Sequence, residues 1–114
     1  MLGVLLGAGC TGGGDPPTAT GDAGKGQALV EIKGCVGCHS VDGSKGTGPT
    51  FAGLLGSTVE FEDGPNAIAD RDYIIQSIRK PEARIVKGYG GNMNAYDLSN
   101  TEIDQIIAYL ETLK

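Results

Sequence analysis

Tryptophan is absent from this chain, phenylalanine occurs twice and tyrosine four times in 114 residues. One domain of that length normally builds its core from more large apolar side chains. Histidine occurs once, at position 39. A structural zinc site needs four closed ligands, and the only cysteine besides Cys35 and Cys38 is Cys10, far upstream in a glycine-rich stretch. That count argues against zinc. No strand-helix alternation of the βαβ kind appears, which argues against a thioredoxin-like thiol pair. Nine scattered Lys and Arg face fourteen Asp and Glu, for a net charge of −5. Nucleic acid is therefore excluded as a partner, because phosphate binding needs clustered basic residues. An acidic surface suits a partner with a positive docking patch. No apolar run approaches the roughly 20 residues of a bilayer-spanning helix.

Against these absences stands one contiguous run, Cys35-Val36-Gly37-Cys38-His39. A C-x-x-C-H run reads as a c-type haem attachment site. Two thiols add across the two vinyl groups of the porphyrin, and two intervening residues set the span at which both reach them. The histidine that follows is placed under the ring, where an imidazole nitrogen ligates the iron. A covalently held haem c also supplies the apolar bulk that the composition lacks. The expectation is that the chain stripped of haem is largely unfolded.

Residues 1–10, M-L-G-V-L-L-G-A-G-C, are small and apolar and resemble the end of a secretory signal. The run into Cys10 also resembles a bacterial lipoprotein signal, in which that cysteine is lipidated, although no Lys or Arg precedes it and Gly7 stands where Leu is usual. Residues 11–22, rich in Gly, Pro, Thr and Asp, read as a flexible linker. Haem attachment requires export, so the expected location is periplasmic or otherwise extracytoplasmic, with Cys10 as the only membrane contact.

Residues 23–114 form the expected folded domain, read as all-α. A first helix spans about residues 23–33, with Leu29, Val30 and Ile32 apolar and Gly34 as its stop. A short helical turn is expected over residues 51–55, between Pro49 and Gly56. A third segment starts at an Asp70 cap, carries Tyr73, Ile74, Ile75 and Ile78, and stops before Pro81. The fourth opens with Ser99 and Glu102 in capping-box spacing. Ile103, Ile106, Ile107, Leu110 and Leu113 then make one apolar stripe at helical period. No strand pattern or internal repeat stands out.

The second axial position cannot fall to another histidine. Met93 is the only methionine besides Met1, and it lies well downstream of His39 in the glycine-rich loop K-G-Y-G-G-N-M-N-A-Y. Glycine lets backbone approach a flat ring closely. His/Met ligation raises the reduction potential and suits electron transfer. Pro49, in G-T-G-P, is the candidate acceptor for the other ring N–H of His39, since a ligating imidazole usually donates to a carbonyl or carboxylate.

With these residues placed, the chain resembles a class I cytochrome c. It most resembles the haem domain at the C-terminus of some bacterial cytochrome c oxidase subunit II proteins. The likeness covers residues 23–114. It rests on G-K-G-Q-A-L-V-E-I-K-G-C-V-G-C-H-S, G-T-G-P-T-F-A-G-L-L-G, A-D-R-D-Y-I-I-Q-S-I-R-K-P-E-A-R-I-V-K-G-Y, Met93 and L-S-N-T-E-I-D-Q-I-I-A-Y-L. The resemblance implies three to five helices around one haem, a first helix crossing the last near Gly26, Tyr109 facing Val30, and Ile78 on the methionine side of the ring. Asn94 stands where the family often has a proline. No second Cys/His cluster is present for the copper domain of a subunit II.

The function expected is electron transfer, not enzymatic turnover: a monohaem carrier of single electrons in a respiratory chain. Its expected partners are redox proteins such as a terminal oxidase or a dehydrogenase. The alternative is a five-coordinate or ligand-exchangeable haem protein acting as peroxidase or gas sensor, for which the sequence offers no distal histidine.

Overall fold

The computed structural model describes residues 19–114. Residues 1–10, Cys10 among them, and residues 11–18 of the expected linker lie outside the described residues. The first helix, α1, is Gly21–Ile32, so it begins within the stretch read as linker. Its end is set by Gly34, which takes the left-handed conformation at φ 80°. That conformation is open to glycine at little cost. The chain then enters a 3-10 turn, Cys35–Gly37, that carries the haem motif.

The other two helices begin as the capping residues predict. In α2, Arg71–Arg79, the Asp70 carboxylate accepts from the Tyr73 amide at 2.9 Å. In α3, Asn100–Glu111, Ser99 and Glu102 complete a reciprocal capping box. After α2 the chain forms a second 3-10 turn, Pro81–Ala83. Residues 51–55 are hydrogen-bonded turns, not the expected helix, with Leu54 donating to the Phe51 carbonyl and Ser57 to that of Leu54. Glycines 53 and 56, both at positive φ, break any helical run there.

The core forms where α1 crosses α3. Gly26 sits at the crossing, and a Cβ there would run into the carbonyl of Gln105 and the Cα of Ile106. The absent side chain lets the two backbones touch. Val30, Ile103 and Leu110 are almost fully buried beside the crossing, and Tyr109 joins the same cluster. Leu98, Ile74, Ile78, Phe51 and Leu55 extend it. Helix α2 is tied to the start of α3 by Arg79, which donates to the Leu98 carbonyl and to Asn100 Oδ1, both at 2.9 Å. Arg71 and Asp104 add an exposed ion pair at 2.7 Å, a contact of a kind that contributes about 0–1 kcal/mol.

A small sheet, unanticipated by the sequence reading, completes the fold. β1, Thr58–Val59, pairs antiparallel with β2, Ala67–Ile68, placing Thr58 opposite Ile68 and Val59 opposite Ala67. Strands of two residues leave no alternation to read. Beneath them Val59, Phe61 and Ala69 make a second apolar cluster, covered by Leu54, Tyr73 and Val86. The architecture of the described residues is thus mostly helical, three α-helices with one minimal sheet.

Candidate functional site

The 3-10 turn brings Cys35, Cys38 and His39 together. The amides of Cys38 and His39 both donate to the Cys35 carbonyl, at 3.1 and 3.0 Å. Cys35 is half-buried and Cys38 exposed, and no disulfide joins them. Burial, set against a backbone hydrogen bond, pushes the Cys35 thiol up from its ordinary value.

His39 is held by residues that return from further along the chain. Its Nδ1 lies 2.6 Å from the Pro49 carbonyl oxygen. A carbonyl only accepts, so Nδ1 donates, and in the neutral imidazole it is Nε2 that keeps the lone pair. The Phe51 ring stacks on the imidazole with centroids 4.6 Å apart and planes 11° apart. Gly48 lies so near the ring that a Cβ would sit 2.5 Å from Cε1. Its amide donates to the Cys38 carbonyl at 2.9 Å, which closes the loop from 38 to 48. The Ser40 and Thr50 hydroxyls, bonded to each other and to the Ser44 and Ser40 carbonyls, stiffen the same loop. The hydroxyl and amide of Ser44 hold the Asp42 carboxyl below the usual carboxylate range.

Met93 lies on a separate loop and is 36% exposed. Ahead of it, Gly91 packs against Ile85 so closely that a Cβ would fall 2.8 Å from Ile85 Cδ1. After it, Tyr96 ties the loop to both halves of the site. Its amide donates to the Ile78 carbonyl at 2.9 Å. Its hydroxyl donates to the carbonyl of Lys33, just ahead of the haem motif, at 3.2 Å. Ile78 is buried at the end of α2. Candidate residues 35, 38, 39 and 49 therefore come together, Ile78 lies in the main apolar core with Phe51, and Met93 stands on the loop that Tyr96 ties back to Ile78 and Lys33. A cleft of about 400 Å³ lies against the second apolar cluster, walled by Leu54, Val59, Tyr73 and Val86. Pro49 is the one candidate residue in that wall.

Sequence reasoning missed Gly48, Phe51 and Tyr96. The first two lie within the quoted G-T-G-P-T-F, where the proline drew the attention. Tyr96 carried no signal, since both of its partners, Ile78 and Lys33, lie in other elements far back along the chain.

The Cytochrome c family profile matches residues 23–114. The chain belongs to the cytochrome c family. Among solved structures it is similar to cytochrome cH from Methylobacterium extorquens, at 28% identity and a TM-score of 0.60, covering 81% of this chain and 99% of that one. No match was found among curated proteins. The cofactor of this cytochrome c is covalently bound haem c, and its donor set fits that group: two thiols one turn apart, and an imidazole whose tautomer leaves Nε2 unprotonated. As a cytochrome c it is a monohaem electron-transfer protein that works with redox partners.

Proposed function

We propose that this cytochrome c carries single electrons in a respiratory chain outside the cytoplasmic membrane, and that His39 and Met93 are the residues that would hold its haem iron. When bound, haem c supplies the one-electron couple of its iron. Cys35 and Cys38 hold the porphyrin through thioether links. The His39–Pro49 hydrogen bond carries the proposal, because it orients the ring and reserves Nε2 for the metal. Pro49 acts through its carbonyl, and Ile78 provides apolar lining on the methionine side. Met93 supplies the thioether that suits this site to electron transfer and closes it to exogenous ligands.

The partners proposed are a terminal oxidase or a dehydrogenase, met in brief encounters that bury under about 1,200 Å². Cys10 is proposed to carry a lipid anchor, which a mass increase on the mature N-terminal cysteine would establish and an unmodified Met1 would refute. The haem ligation is tested on holoprotein from a host competent in cytochrome maturation. The ferric form should show a sulfur-to-iron charge-transfer band that Met93→Ala abolishes, with a fall in reduction potential. Rapid, tight cyanide binding to a ferric protein lacking that band would instead establish the peroxidase or gas-sensor class.

A further inference from the structure

The loop that carries Met93 is gripped on its leading side by residues 60–62, just after β1. Glu62 donates its amide to the Ile85 carbonyl at 2.8 Å, and Lys87 donates its amide to the Glu60 carbonyl at 2.9 Å. Phe61 and Val86 form an isolated antiparallel bridge between these contacts. The Arg84 guanidinium lies over the Phe61 ring, 4.4 Å from its centroid. The Glu62 side chain adds a contact of its own: Oε2 accepts from the Gly88 amide at 2.9 Å. Gly88, at φ 87°, is where the chain leaves this pairing for the loop. Gly91 then folds back onto Ile85, the same residue whose carbonyl Glu62 holds.

A continuous path therefore runs from Glu62 through Ile85 and Gly88 to Gly91, just ahead of Met93. We propose that Glu62 is a positioning residue for Met93, its carboxylate clasping the Gly88 amide and so fixing the loop that presents the Met93 thioether. The inference rests on Met93 being an axial ligand. A carboxylate on a backbone amide is a charge-assisted bond, stronger than a neutral one. The position is exposed, so removing the side chain leaves both apolar clusters intact. Nothing in the haem attachment motif would predict this role, because Glu62 is remote in sequence from both His39 and Met93.

The test is the rate at which imidazole binds the ferric holoprotein, which reads how often Met93 lets go. Glu62→Ala should raise that rate roughly threefold to tenfold, as expected for loss of one solvent-exposed hydrogen bond, and weaken the sulfur-to-iron band, while the unfolding temperature falls by only a few degrees. Glu62→Gln, which retains a carbonyl acceptor, should recover part of the difference. Glu60→Ala serves as the control. It removes a neighbouring charge and the 4.0 Å pair with Lys87, yet should leave the rate unaltered. If the unaltered protein shows the band but its imidazole rate is insensitive to Glu62→Ala, the clasp is overturned and the ligation stands. If the unaltered protein shows no band, the ligation is overturned and the clasp with it.

Discussion

A methyl group at position 48 would enter the space that the His39 ring occupies. Gly48→Ala is therefore expected to turn the imidazole and lengthen its bond to Pro49, at a cost of about 1–3 kcal/mol as for other overpacked sites. Lower yield of holoprotein and a shifted reduction potential in the purified fraction would report it. Cys35, Cys38 and His39 were legible because the chemistry lies in five consecutive letters. Phe51 and Gly48 were not, because stacking and close approach depend on how the 38–48 loop closes.

The starts of α2 and α3 followed from short-range chemistry and could be read in advance. Asp70 and Ser99 cap α2 and α3 as expected because each satisfies a nearby amide within its own element. Ser99→Ala should cost about 1 kcal/mol in urea denaturation, the usual effect of losing such a cap. Gly26→Ala should cost more, since the obstacle to its Cβ is backbone of α3 and cannot rotate away. A far-UV melt would show the fall. The minimal sheet and the 60–62 pairing with 85–87 escaped sequence reading for the opposite reason. The 60–62 pairing joins segments that β2 and α2 separate along the chain, and the two strands of the sheet, though consecutive, are too short to display a period.

At the scale of the whole molecule, Tyr109 makes stability depend on pH at the alkaline end. Burial first, and the charge of Glu31 second, raise its phenol above the ordinary tyrosine value. The folded chain therefore keeps this proton over a range in which the unfolded chain has released it. The contribution of Tyr109 is intact below the ordinary tyrosine range and is lost as pH rises through the folded value. Denaturation midpoints of the holoprotein should fall over that interval, and Tyr109→Phe should flatten the fall while changing little at neutral pH.

The contact between α1 and α3 also governs when folding can finish. The domain's opening helix finds its partner in the closing one, so a nascent chain halted anywhere before Asn100 has a first helix with nothing to lean on. Pairings of such wide sequence separation are slow to form. Synthesis must therefore run through α3 before this polypeptide can lock, and until then its opening helix lacks its main partner.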